Sequence, residues 1–149
     1  MTGSEKVCEF LAKAKTFFVL TTDGDQPKGR PFGLFVPVDG KIYFGCGTFK
    51  NVYKQLTANP KIEILALDGM EFMRYDGIAT VVSDATVQAA FRAAAPQIME
   101  MYNKNGWEMG IFYLENGHAE IRAVIAFCAA GRTPVRLPAD TRRRQRTAL

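Results

Sequence analysis

The sequence predicts a mainly β (α+β) fold, a small closed or partly open antiparallel barrel with flanking helices. Three observations carry this. About seven short segments are rich in β-branched and aromatic residues. Most are joined through Asp-Gly or Asn-Gly dipeptides, tight turns that force antiparallel neighbours. The length of 149 residues, 48% of them hydrophobic and 23% charged, suits one domain with one core. A barrel is the economical way to hide so many strand edges.

Taken in order, residues 4–15 read as a helix. Ser4 is its expected N-cap, and Val7, Phe10, Leu11 and Ala14 form one apolar face. Residues 16–22 (TFFVLTT) read as a strand that turns at Asp23-Gly24. Residues 28–38 read as a second strand, placed at an edge or bulge because Pro31 and Pro37 cannot donate to a ladder. Asp39-Gly40 then makes the strongest hairpin signal, leading into the strand KIYFGC. Residues 49–58 read as a short helix stopped by Asn59-Pro60. Residues 61–67 and 71–82 read as strands about Asp68-Gly69, with a bulge at Gly77. The alanine-rich stretch 85–103 reads as helical, broken at Pro96. Residues 109–115 and 119–127 read as a last hairpin around Asn116-Gly117.

Charge divides the chain in two. Residues 131–149 hold six arginines against one acid, with no lysine and no aromatic residue, whereas the body prefers lysine and is nearly neutral. This predicts a domain over 1–130 and an Arg-rich tail over 131–149 that reads as mobile and solvated. The body has no basic balance that would argue for nucleic acid. No apolar run approaches the roughly 20 residues of a membrane-spanning helix. The first fifteen residues mix both charge signs without an apolar centre, which predicts a cytoplasmic protein. Cys8, Cys46 and Cys128 are odd in number and widely spaced, neither a disulfide framework nor a metal pair. They read as reduced, buried thiols. A single histidine, His118, argues against a zinc site, and no GxSxG surrounds a serine.

No set of catalytic side chains stands out, so the protein either binds something or positions a cofactor that does the chemistry. The best candidate is Arg30 together with residues 45–51 (GCGTFKN). A strand ends there in a Gly-spaced loop that opens a helix, and free N–H groups at a helix start attract anions. Thr48 adds a hydroxyl. Lys50 adds a positive charge that the helix dipole disfavours, so a bound phosphate would explain it. Arg30 could fork onto the same phosphate. A solvated Lys50, with Arg30 lying over apolar surface, fits the residues equally well.

The order of the pieces FFVLTTDGDQPKGRPFG, DGKIYFGCGTFKNVYKQLTANPKIEI and FMRYDGIATVV resembles the FMN-binding split β-barrels related to pyridoxamine 5′-phosphate oxidase, over roughly residues 5–127. The resemblance implies a six- to seven-stranded antiparallel split barrel. It also implies a homodimer with two FMN molecules at the subunit interface. By the same resemblance Arg30, Pro31, Phe32 and Gly33 line one side of the flavin. Cys46, Thr48, Lys50 and Asn51 match the loop and helix start that hold its phosphate. Phe72 matches a position flanking the isoalloxazine, and Trp107 and Phe112 reach in from the second subunit. Phe32, Phe72 and Trp107 suit the apolar slot a flat ring needs, and each equally suits a core.

The chain departs from the family where Phe49 replaces a hydroxyl or basic residue just before the lysine. That implies one charge-assisted bond fewer to the phosphate, on the order of 1.5–3 kcal/mol. The Arg-x-His that holds substrate in the true oxidases is also missing, which argues against vitamin B6 oxidation. The function expected is an FMN-dependent oxidoreductase moving hydride or electrons to or from a small molecule, with a nicotinamide as the possible donor. The alternative is a non-catalytic flavin- or haem-binding protein, with His118 as the one histidine available to iron. FMN is expected over FAD because no GxGxxG turn serves a dinucleotide.

Overall fold

In the computed structural model, which describes residues 1–124, the strands pair only antiparallel. They are β1 (Phe17–Asp23), β2 (Gln26–Phe32), β3 (Phe35–Val38), β4 (Lys41–Gly47), β5 (Lys61–Asp68), β6 (Glu71–Val82) and β7 (Met109–Ala123). Their order in the sheet is β2-β1-β5-β6-β7-β4-β3. The two ends of that order, β2 and β3, are consecutive in the chain and separated only by Gly33 and Leu34. The sheet must therefore curl until its edges meet, which makes it a split barrel.

The segment 28–38, expected as one strand, is thus two. β2 pairs with β1, and β3 pairs with β4. Both are edge strands, which is where Pro27, Pro31 and Pro37 can sit without breaking a ladder. Asp39 and Gly40 both take positive φ (48° and 79°), as a two-residue hairpin turn requires.

The expected hairpin over 109–127 does not form. β7 is one long strand that follows β6 from Val82↔Ile111 to Glu71↔Ala123. Asn116, at φ 53°, and Gly117 make a bulge instead, two residues opposing Gly77 alone. A Cβ on Gly77 would lie 2.9 Å from the Glu115 carbonyl oxygen, so only glycine fits the close approach. The far end of the expected strand 119–127, the Arg-rich tail and Cys128 lie outside the described residues.

The helices are α1 (Gly3–Ala14), α2 (Asn51–Ala58), α3 (Ala85–Ala94) and α4 (Pro96–Lys104). Thr2, not Ser4, caps α1. Its hydroxyl accepts from the Glu5 N–H, and the Glu5 carboxylate accepts from the Thr2 N–H. Ser4 has Val7 three residues on, which cannot reciprocate. The stretch 85–103 is two helices because Pro96 has no N–H to continue α3 and instead starts α4.

Alternate residues of β1, β4, β5, β6 and β7 point into the barrel, among them Phe17, Phe44, Ile64, Met73 and Phe112. α1 adds Val7, Phe10 and Leu11, and α2 adds Val52 and Leu56. On the outer face of β3, β4 and β7 a second cluster of Val36, Tyr43 and Ile111 is covered by Val87 and Phe91 of α3. No helix among the described residues is long and apolar enough to cross a membrane.

Candidate cofactor site

β4 ends in Gly45-Cys46-Gly47, and α2 begins four residues later. Lys50 is the N-cap of α2 in extended conformation, and its side chain has no acceptor with which to cap the helix. The first turn of α2 therefore carries no side-chain cap, with a cation beside it. Phe49 folds back over Gly47, where a Cβ would stand 2.5 Å from its ring. Behind it the ring meets Trp107 at 5.0 Å and Tyr102 at 6.3 Å. The Thr48 N–H donates to the Glu108 carbonyl at 3.0 Å, tying this loop to the segment that enters β7.

Arg30 stands on β2, opposite Val19 of β1. Its Nη1 donates to the Thr21 hydroxyl (2.6 Å) and the Val19 carbonyl (3.2 Å), and its Nη2 donates to Gln55 Oε1 (2.7 Å). The Thr21 hydroxyl, on a residue only 3% exposed, donates to the same Gln55 oxygen at 2.6 Å. The three side chains close a ring that fixes the guanidinium between β1, β2 and α2. Burial pushes its pKa down, yet a guanidinium stays charged at neutral pH.

A cleft of about 340 Å³ opens at this point. It brings together Arg30, Pro31, Phe32, Gly33, Cys46 and Lys50, all anticipated from the sequence. Thr48 and Asn51 flank Lys50 in the loop and helix start without lining the cleft. Phe72 and Trp107 lie elsewhere in the chain. Phe72 pairs with Leu67 and Arg122, under the Arg74 guanidinium 5.4 Å from its ring. Trp107 faces a second cleft. Phe112, expected to reach in from a second subunit, is instead fully buried against Phe44 at 5.7 Å and belongs to the core.

Sequence reasoning missed the opposite wall. Ile98 and Met101 of α4 line it, and both are exposed. Their i, i+3 spacing marks an apolar stripe, but a stripe alone reads as core. Gln55 and Thr21 carried no signal, because contacts across 25 and 34 residues leave no local pattern.

Cys46 is a buried free thiol on this cleft. Burial pushes its pKa up to about 11, against the opposing pull of Lys50 and Arg30. The thiol is therefore protonated and inert near neutral pH. Iodoacetamide at pH 8 should leave Cys46 unlabelled in the native protein and label it after unfolding, as read by peptide mass spectrometry. A folded pKa above the ordinary thiol value of 9.0 means stability is retained below pH 9 and lost as pH rises through 11. At pH 11 the loss should be on the order of 2 kcal/mol relative to Cys46→Ala.

The strand order defines a split barrel, and the uncapped start of α2 lies beside a cleft lined by two cations, Arg30 and Lys50. The sequence matches the pyridoxamine 5′-phosphate oxidase family over residues 4–127, and the chain belongs to that family. Among solved structures it is similar to a NimC/NimA family protein from Clostridium acetobutylicum. The identity there is 29% and the TM-score 0.75, covering 83% of this chain and 89% of that one. It shares its fold with HutZ, the haem storage protein of Vibrio cholerae, at 15% identity and TM-score 0.59, covering 83% and 95%. It also shares its fold with a haem-binding protein from Mycobacterium smegmatis, at 12% identity and TM-score 0.57, covering 87% and 61%. A comparison with curated protein sequences finds no match.

Proposed function

We propose that the protein is a cytoplasmic, homodimeric, FMN-dependent oxidoreductase acting on a small molecule, with a nicotinamide as candidate electron donor. The observation that carries this reading is one cleft holding both an anion cradle and an apolar slot. Lys50, the start of α2 and Arg30 form the cradle; Pro31, Phe32 and Leu34 stand beside it. These match the two ends of FMN, a dianionic tail and a flat apolar ring.

The site fits the group by its own chemistry. A lysine at a helix N-terminus is opposed by the dipole unless an anion joins it. In this reading Lys50, Thr48, the N–H groups at Asn51 and Arg30 hold the phosphate. Pro31, Phe32 and Gly33 bound one side of the ring, and Cys46 belongs to the loop that leads to the phosphate. Phe72, which this cleft does not include, takes part across the dimer interface, while Trp107 stands on the adjoining cleft. FMN, when bound, supplies hydride or electron transfer. The chain orients it, and the protonated Cys46 thiol adds no charge to the cleft.

The haem reading has less support here. His118 is the chain's sole histidine, and it is 74% exposed on β7 with Nδ1 3.7 Å from Asp76, outside the cleft lining. The absorbance spectrum of purified protein reconstituted with excess FMN, then with haem, separates the two. A bound two-band flavin spectrum is the expected result. A Soret band with no flavin retained would overturn the reading.

A further inference from the structure

A second cleft, of about 490 Å³, adjoins the first and shares Tyr102 and Met109 with it. We infer that it binds a planar aromatic ring bearing one carboxylate, next to the ring end of the cofactor cleft. That this ligand is the partner of the flavin rests on the proposed function; the binding site itself does not.

The argument starts from Trp107. It is 42% exposed, and its indole packs against Phe49 at 5.0 Å and edge-on to Tyr102 at 5.5 Å. An aromatic platform braced by two rings loses little entropy when a flat ligand covers what remains exposed. Met99 and Met109 add polarizable thioether walls, which suit an aromatic ring.

The polar groups decide the substituent. Glu100 already pairs with Lys104 at 3.1 Å. Arg92, in the last turn of α3, has no ion-pair partner among the described residues. The cleft thus offers one uncommitted guanidinium, whose planar fork matches a carboxylate. The first cleft has two cations, as a dianionic phosphate requires. A single cation here selects a monoanion.

Trp107 is the only tryptophan in the chain, so its emission reports on this cleft directly. Apo-protein is titrated with benzoate and with benzamide, which have the same shape and differ in charge. Benzoate should shift the emission saturably and bind roughly tenfold more tightly than benzamide. Arg92→Gln, on an exposed helix position, should bring benzoate down to the benzamide affinity without changing benzamide. Equal binding of the two by the wild type, an unchanged preference in Arg92→Gln, or no saturable response would overturn the inference. Calorimetry with FMN on the same sample keeps the two claims apart. Failure to bind FMN, with the Arg92-dependent preference intact, sinks only the flavin reading. FMN binding without that preference sinks only this one.

Discussion

Replacing Phe44 with alanine is expected to lower stability by about 3–5 kcal/mol, the largest effect of any single substitution proposed for this chain. Phe44 is 0% exposed at the centre of β4, the strand that joins edge strand β3 to β7. Its ring meets Phe17 at 5.6 Å and Phe112 at 5.7 Å, so it links both halves of the split barrel. The substitution leaves a cavity that surrounding backbone ladders cannot collapse to fill. For a domain of typical stability, about 5–15 kcal/mol, that is at least about a fifth of the total. Urea denaturation should show a lower midpoint with an unchanged slope. A loss below about 1 kcal/mol would mean that this ring does not bridge the core.

Lys50→Ala should weaken FMN roughly 10- to 150-fold and leave riboflavin affinity unchanged, because riboflavin lacks the phosphate. Lys50 is exposed, caps nothing with its side chain and makes no ion pair among the described residues. The melting temperature of the apo-protein should therefore hardly move. Arg30→Ala is a different experiment. It removes the donor that ties Thr21, Val19 and Gln55 together, so it should cost stability of about 1–3 kcal/mol as well as FMN affinity. Titration calorimetry with both flavins, beside thermal melts, reads the two effects separately. Equal weakening of FMN and riboflavin by Lys50→Ala would place the phosphate elsewhere.

Much of the barrel was legible because its turns are local. Asp39-Gly40 adopts the positive φ pair its residue types favour, and Pro31 and Pro37 fall in edge strands as the missing N–H demands. Misreadings arose where a distant partner decides. Asn116-Gly117 has the residues of a hairpin turn, but β6 runs straight past it and offers a continuous ladder, so the same dipeptide becomes a bulge. The stretch 28–38 looks like one strand because nothing in its pattern shows that its halves pair with opposite ends of the sheet. The cationic half of the cleft was legible too, since Arg30 and Lys50 flank recognisable loop and strand patterns. Its apolar wall on α4 and the Thr21–Gln55 brace were not. Tertiary packing brings them there across dozens of residues.

The most direct test is the affinity of wild-type apo-protein for FMN against riboflavin, measured by titration calorimetry under one set of conditions. With Lys50, Arg30 and the start of α2 around the phosphate, FMN should bind at least about tenfold more tightly. Riboflavin binding as tightly as FMN, or FMN not binding at all, would contradict the account.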